Sequence, residues 1–250
     1  MIQFTNISHR YGRTTTLHEI THHFEEGTTT VLIGPSGCGK STLLRCIVGL
    51  VIPDSGTIRI GDKEVNSDSI HHIRKSIGYV IQDGGLFPHL TARDNATLLA
   101  RQEGWTEQEM KDRTNELVDV VQLSRDHLDK FPSQLSGGQQ QRISIIRALM
   151  LDPEILLMDE PLGALDSIVR ADLQRDLFDI FESLNKTVIL ITHDLAEAAY
   201  FSDNLLLMQE GAVVIKGSLR ELHESSLPFV TDFVLAQQQA AVKFIEKLRP

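Results

Sequence analysis

The stretch GPSGCGKST, from Gly34 to Thr42, is the feature that most constrains this chain. It follows the apolar run TTTVLI and opens a helical pattern. A glycine-rich loop in that position can point consecutive backbone N–H groups at a phosphate, and the dipole of the following helix favours negative charge. Lys40 is then expected to reach the β- and γ-phosphates, and the Ser41 hydroxyl to bind Mg²⁺. The alternative is an ordinary glycine-rich turn, but a chance match is on the order of 1 in 100, so the stretch predicts a phosphate-binding loop.

The composition excludes several classes of protein. The chain has 250 residues, 41% of them hydrophobic, and a formal charge of −10. This length suits one ordinary domain, or one domain with an inserted lobe, and the apolar fraction excludes intrinsic disorder. The acidic balance argues against a nucleic-acid partner, because non-specific binding depends on Lys and Arg that neutralise phosphates. Two cysteines without a disulfide framework, no signal-peptide pattern and no apolar run of about 18 residues favour a soluble cytoplasmic protein.

The strand and helix patterns divide the chain into three parts, which we expect to form a single domain over residues 1–250. Strand patterns alternate with helices in residues 1–90 and 151–217, residues 91–150 are rich in helices, and the tail 218–250 is expected to be helical. Near-continuous apolar strands that alternate with helices are typical of a parallel sheet covered on both faces. We therefore predict an α/β core with an N-terminal antiparallel β part and an inserted α-helical lobe. Helices are predicted over 40–49, 92–101, 106–122, 137–150, 166–183 and 194–200.

The run ILLMDE, residues 155–160, is the second chemical signal. Four apolar residues predict a buried strand, and two acids follow at its carboxyl end, where open α/β sheets place their ligands. Asp159 is expected to hold Mg²⁺ through water, and Glu160 to polarise an attacking water. A buried strand that ends in two solvated acids is the alternative, but the neighbouring phosphate loop favours the functional interpretation.

The third signal is LSGGQQQR, which begins a helical run in the inserted lobe. Ser136, Gly137 and Gly138 stand where a helix N-terminus can bind an anion. Locally the same residues would form an ordinary capped helix start. However, a second anion-binding site on another lobe is meaningful in a chain that already carries a phosphate loop.

The motifs GPSGCGKST, LSGGQ and ILLMDE, in this order, resemble the nucleotide-binding subunit of an ABC transporter over nearly the whole chain. The resemblance implies a P-loop NTPase core and a Mg-dependent ATPase, with ATP and Mg²⁺ as cofactors. It implies catalytic roles for Glu160, His193, Gln82 and Lys40, and metal-binding roles for Ser41, Gln82 and Asp159. The nucleotide-binding residues that it implies are Tyr11, Gly34, Ser36, Gly37, Cys38, Gly39, Lys40, Ser41, Thr42, Ser136, Gly137, Gly138, Gln139 and Asp166.

Four of these residues match family positions outside the three motifs. Gln82 ends the strand pattern IGYVIQ and matches the glutamine that reaches Mg²⁺ and the attacking water. His193 follows TVILIT and matches the switch histidine that contacts the γ-phosphate, and Asp166 matches an aspartate that crosses to a partner subunit. Tyr11 is expected to stack on the adenine, and its alternative is a half-buried strand tyrosine.

The resemblance also implies two kinds of partner. A homodimer in the ATP-bound state would clamp each ATP between Lys40 of one copy and Ser136 and Gly138 of the other. Transmembrane permease subunits would dock near the loop after Gln82, through residues such as Phe87. The subunit would then lie peripherally on the cytoplasmic face of the cell or inner membrane.

Residues 73–96 (IRKSIGYVIQDGGLFPHLTARDNA) resemble the ATPases of quaternary-amine osmoprotectant importers, whose cargoes are glycine betaine, choline or carnitine. Two alternatives remain: the ATPase of an importer for another small solute, such as an amino acid or a polyamine, and the ATPase of an exporter or lipoprotein-release complex. A non-transport ATPase of DNA repair or translation is disfavoured, because those chains carry a long coiled coil or two cassettes. The tail is expected to cover the sheet, and contact with a second copy is the alternative.

Overall fold

The computed structural model describes residues 1–82, 84–163 and 165–237. Within these ranges ten strands form two sheets. The strands are β1 Ile2–Tyr11, β2 Thr14–Phe24, β3 Thr29–Ile33, β4 Ser55–Ile60, β5 Lys63–Glu64, β6 Ile77–Val80, β7 Ile155–Asp159, β8 Thr187–Thr192, β9 Asn204–Gln209 and β10 Ala212–Gly217. One sheet has the order β2-β1-β4-β5 and is antiparallel, and the other has the order β10-β9-β3-β8-β7-β6.

The structure contains a helix in each of the six ranges predicted before the tail, and it adds the short helix Ile70–Lys75, which was not predicted. The helices are α1 Lys40–Ile47, α2 Ile70–Lys75, α3 Ala92–Gln102, α4 Glu107–Val120, α5 Gly137–Leu149, α6 Ser167–Leu184, α7 Leu195–Phe201 and α8 Leu219–His223. Residues 228–237 are also helical. Among the helices of the described part of the chain, none has the length and apolar character that crossing a membrane requires.

The described part of the tail is helical, as the sequence predicts, but it does not form one continuous helix. In the structure it is interrupted after α8, and a second helix begins at Pro228. Proline disfavours helical dihedrals in the residue before it and suits the first position of a helix, so the break has a local cause. Residues 238–250 of the predicted tail lie outside the described residues.

The central strands of the six-stranded sheet are parallel and buried. β3, β7, β8 and β6 pair in parallel, as do β3 and β9, and only β10 joins antiparallel to its neighbour. Every residue of β3, β7 and β8 is buried. Because each fully buried Leu, Ile or Val contributes about 1.5–3 kcal/mol, these strands account for much of the stability. The sheet order places the carboxyl ends of β3, β8 and β7 side by side.

The antiparallel sheet holds α1 in place. One hydrophobic cluster joins Phe4 and Phe24 of this sheet, Leu43 of α1, and Leu32 and Ile189 of the parallel sheet. Helix α1 therefore lies between the two sheets, with its N-terminus at the carboxyl edge of β3. These observations confirm the α/β class with an N-terminal antiparallel part.

The inserted lobe consists of α3, α4 and α5, whose apolar faces pack into the second cluster. Thr91 caps α3, and Thr106 with Glu109 forms a capping box on α4. Ser136 with Gln139 does the same for α5. Such side-chain caps satisfy N–H groups that a helix leaves unpaired, each worth about 1 kcal/mol. Helix α5 also contacts β6 and thereby joins the lobe to the core.

Candidate functional site

A cavity of about 300 Å³ opens at the carboxyl edge of the parallel sheet. It lies where the loops after β3 and β7 meet the end of β6, as the sequence predicts for a ligand site in an open α/β sheet. Its lining residues are Thr16, Ser36, Gly37, Gly39, Lys40, Ser41, Thr42, Gln82 and Glu160.

The glycine-rich loop owes its shape to close backbone approaches. Gly34 has φ +151° and Gly39 has φ +107°, backbone angles that residues with a side chain rarely adopt. A Cβ on Gly34 would lie 2.3 Å from the Met208 carbonyl oxygen, and one on Gly39 would lie 2.6 Å from the Thr16 carbonyl oxygen. Only glycine fits at both positions, so the loop is fixed against β2 and β9 before any ligand arrives.

Lys40 brings a buried cation into the cavity. It is 4% exposed, and its Nζ donates to the carbonyl oxygens of Gly34 at 2.8 Å and Pro35 at 3.0 Å. Its hydrogen-bond partners among the described residues include the Cys38 sulfur at 3.9 Å but no carboxylate. A buried ammonium with only neutral partners favours a bound anion. Burial raises the pKa of the Cys38 thiol, although Lys40 opposes this.

Ser41 and Asp159 form the candidate metal site. The Ser41 hydroxyl donates to Asp159 Oδ1 at 2.9 Å across the start of α1 and the end of β7. Burial raises the pKa of Asp159, whereas the hydrogen bond from Ser41 and the charge of Arg45 lower it. Gln82 lines the same cavity as Ser41, so the donors available near this pair are a hydroxyl, a carboxylate and an amide oxygen. This all-oxygen set fits Mg²⁺.

Glu160 and His193 form the candidate catalytic pair. His193 Nδ1 lies 3.2 Å from Glu160 Oε2, and the His193 side chain is 55% exposed. Glu160 has φ +48°, an uncommon left-handed conformation for this residue type. Strained backbone of this kind concentrates at functional sites. The structure thus brings together the phosphate loop, the acid and the histidine that the sequence predicts.

Other predicted site residues lie outside the cavity. Ser136 is exposed at the start of α5, where it accepts from the Gln139 backbone N–H as an ordinary cap. Asp166 caps α6 and is exposed. Tyr11 ends β1, 49% exposed, with its ring edge-to-face against His9 at 4.7 Å. Ser136, Asp166 and Tyr11 do not line the cavity. Their assignment to the nucleotide stays a prediction, as does that of Gln139, Gly137, Gly138 and the other motif residues.

The loop after Gln82 is tied to the helical lobe. Arg147 of α5 donates to the carbonyl oxygens of Gly84 at 2.8 Å and Gly85 at 2.9 Å. Asn95 of α3, fully buried, accepts from the Phe87 N–H at 2.7 Å and donates to its carbonyl oxygen at 3.1 Å. Phe87 itself is 44% exposed. The loop therefore presents an exposed aromatic ring on a rigid support.

Two contributions to the site were missed at the sequence level. Thr16 lines the cavity, and its carbonyl oxygen faces Gly39. Arg147 fixes the loop after Gln82 from a distance of more than sixty residues along the chain. Neither residue belongs to a motif, and both act on backbone atoms of other elements, so only the folded arrangement reveals them.

Comparisons with known proteins agree with this geometry. A family profile described as ABC transporter matches residues 17–163. The carnitine transport ATP-binding protein OpuCA of Listeria monocytogenes is 39% identical over 236 residues, which is 94% of this chain and 59% of that protein. The glycine betaine uptake system ATP-binding protein YehX of Escherichia coli is 41% identical over 234 residues, 93% of this chain and 76% of that protein. The chain thus spans about three fifths of the carnitine relative.

A solved structure also aligns with most of this chain. It is the dimeric structure of a post-hydrolysis state of the ATP-binding cassette MJ0796, bound to ADP and Pi. The two folds align with a TM-score of 0.79 and 32% sequence identity, over 88% of this chain and 99% of that one.

Proposed function

Because the chain belongs to the ABC transporter family, we propose that it binds and hydrolyses ATP to drive import through a partner permease. The observation that carries the proposal is the cavity that joins Lys40, the Ser41–Asp159 pair and the Glu160–His193 pair at one sheet edge. We further propose that residues 1–90 and 151–217 act as the catalytic core, 91–150 as the helical lobe and 218–250 as an appended tail.

The triphosphate would bind along the glycine-rich loop. Gly37, Gly39 and the first residues of α1 line the cavity, where their backbone N–H groups and the helix dipole would attract a phosphate. Lys40 would exchange its loop carbonyl partners for phosphate oxygens, a charge-assisted and therefore stronger hydrogen bond. Ser41, Asp159 and Gln82 would hold Mg²⁺. The bound ion would neutralise part of the negative charge of the phosphates.

Hydrolysis would depend on positioning more than on covalent chemistry. Glu160 is our candidate general base, because its carboxylate lines the cavity and can accept a proton from water. The His193 imidazole, which contacts Glu160 in the structure, would donate a hydrogen bond to the terminal phosphate. Gln82, which also lines the cavity, would orient the water.

The cavity of one copy supplies only half of the proposed site. Ser136, Gly138 and Asp166 lie outside it, and the exposed start of α5 offers a second anion-binding helix terminus. We propose that a second copy brings these residues to the ATP in a twofold dimer with two identical sites. Hydrolysis would weaken the contact, since ADP lacks the bridging phosphate. The relative MJ0796 is dimeric with its products bound.

The names of the relatives support a proposal for the transport partner and the cargo. Carnitine and glycine betaine are named for two of them, and residues 73–96 carry the same resemblance, so we propose a quaternary-amine osmoprotectant importer. The permease would dock on the loop around Phe87, which arginine and asparagine side chains hold in place. The subunit would accordingly lie at the cytoplasmic face of the membrane.

Steady-state phosphate release with Mg-ATP tests the activity. Glu160→Gln is expected to retain ATP binding and to lose about 10²–10⁴-fold in turnover, which is typical for removal of a general base. Glu182→Gln, an exposed carboxylate on α6, is the matched control and should hydrolyse like wild type. Absence of hydrolysis by the wild-type protein, or turnover of Glu160→Gln near the wild-type value, would refute the proposal.

A further inference from the structure

The backbone on both sides of His193 is tied to a single buried carboxylate. The Thr192 hydroxyl donates to Glu197 Oε2 at 2.5 Å, and the Asp194 backbone N–H donates to the same hydroxyl oxygen at 3.0 Å. Because this hydroxyl accepts from one neighbour and donates to the other, its orientation is fixed. Residues 192 and 194 are therefore held together across the histidine, and Glu197 anchors the pair.

Glu197 does not play the role that its position in α7 predicts. It is the third residue of the helix, where a glutamate ordinarily reaches back to the backbone N–H of the capping residue. Here Asp194 caps the helix alone and accepts from the N–H groups of Ala196 at 2.7 Å and Glu197 at 3.3 Å. The N–H of Asp194 goes to Thr192 instead. The carboxylate of Glu197 is thereby freed for the strand end that leads to His193.

The burial of Glu197 argues for more than helix capping. Glu197 is only 6% exposed to solvent. Burial raises its pKa, as does the charge of Asp194, whereas the Thr192 hydrogen bond and the charges of Arg170 and His193 lower it. Placing a carboxyl group in such surroundings costs free energy that a capping role on the surface would avoid. The geometry instead suits a group that must hold one loop in one conformation.

We propose that Glu197 is a positioning residue for His193, acting through the Thr192 hydroxyl. The inference rests on the proposed function, because it assigns His193 to the terminal phosphate of ATP. The exposed imidazole can keep its place beside Glu160 only if its backbone is fixed, and the two flanking residues fix it. On the outer side, Gln237 Nε2 donates to the His193 carbonyl oxygen at 2.9 Å. The histidine backbone is thus restrained from two directions.

Substitutions at Thr192 separate positioning from stability. Thr192→Val keeps the shape of the side chain but cannot donate, so we expect kcat to fall about tenfold or more, with the KM for ATP changed less than about twofold. Thr192→Ser restores the hydroxyl and should retain at least about half of kcat. Thr187→Val is the matched control, since Thr187 is 2% exposed at the opposite end of the same strand. It should lower the melting temperature without lowering kcat.

Substitutions at Glu197 complete the test. Glu197→Ala removes the acceptor and should reproduce the Thr192→Val loss, whereas Glu197→Gln keeps an oxygen acceptor and should retain at least about half of kcat. Hydrogen exchange gives a readout without ATP: the Asp194 amide should exchange faster in Thr192→Val and Glu197→Ala than in wild type or Thr187→Val.

Three outcomes would overturn the inference. Thr192→Val or Glu197→Ala could keep the wild-type kcat, Thr187→Val could lose kcat to the same degree, or the Asp194 amide could exchange equally in all variants. Failure of the proposed function is a different result, since it would appear as a wild-type protein that does not hydrolyse ATP at all.

Discussion

At the scale of the residue, the phosphate loop depends on contacts that leave no room for a side chain. Gly39 directly precedes Lys40 and approaches the carbonyl oxygen of Thr16 on β2. Any shift there would move the first N–H groups of α1 and the lysine together. The position of the buried cation is therefore set by a neighbouring strand as well as by the motif itself.

Gly39→Ala is expected to destabilise the protein and to abolish ATP binding. Its Cβ would lie 2.6 Å from the Thr16 carbonyl oxygen, and φ is +107°. Gly104→Ala is the matched control, because Gly104 has φ +79° and nothing within 4 Å of the added Cβ. Gly104→Ala should lower the free energy of unfolding by only about 1 kcal/mol, through backbone strain. Gly39→Ala should lower it by at least about 1–3 kcal/mol more, as expected for overpacking. Urea unfolding and nucleotide titration measure both effects, and equal losses in the two variants would contradict this account.

At the scale of the element, the core was predictable and the supporting contacts were not. β7 and β8 contain runs of four consecutive apolar residues, and this pattern predicts their burial. The two-residue strand β5 carries too little pattern to be recognised. The break before Pro228 had a local signal that the apolar spacing of the tail obscured.

The candidate site divides in the same way. Lys40, Ser41 and Asp159 stand in motifs, so their meeting at one edge follows from the order of parallel strands. Thr192 and Glu197 form a hydrogen bond because the end of β8 faces the first turn of α7. No residue spacing in the sequence predicts that hydrogen bond. Motifs therefore predict the groups that face the ligand, whereas the groups that hold them require the folded arrangement.

The antiparallel sheet carries a pH-sensitive group. Burial, then the charges of Lys216 and His23, lower the pKa of His22 from 6.5 to about 4. Between these values the unfolded chain binds a proton that the folded chain does not, so stability falls as the pH drops from 6.5 towards 4. His22→Gln should reduce this loss by on the order of 1–2 kcal/mol.

The measurement is urea unfolding at pH 7.5, 5.5 and 4.5. His18→Gln, exposed on the same strand, is the control and should keep the wild-type dependence. If His22→Gln lost as much stability as wild type between pH 7.5 and 4.5, the assignment of His22 would be wrong.

At the scale of the whole molecule, the proposed ATP site is shared between two copies of the chain. Each chain carries a formal charge of −10, so two copies repel one another in the absence of a specific attraction. In the proposed dimer, the exposed start of α5 and the cavity at the sheet edge would supply that attraction through a bridging phosphate. Association is therefore expected to depend on ATP, and to weaken once the terminal phosphate has left.

The molar mass of Glu160→Gln with saturating Mg-ATP tests this claim most directly. Light scattering after size exclusion should give about twice the 28.0 kDa of one chain, and 28.0 kDa with ADP. Adding Ser136→Asp keeps a helix cap but sets a carboxylate against the phosphate, so this double variant should bind ATP and stay at the mass of one chain, whereas Ser136→Asn should still dimerise. A Glu160→Gln protein saturated with ATP that stays at the mass of one chain would contradict the account.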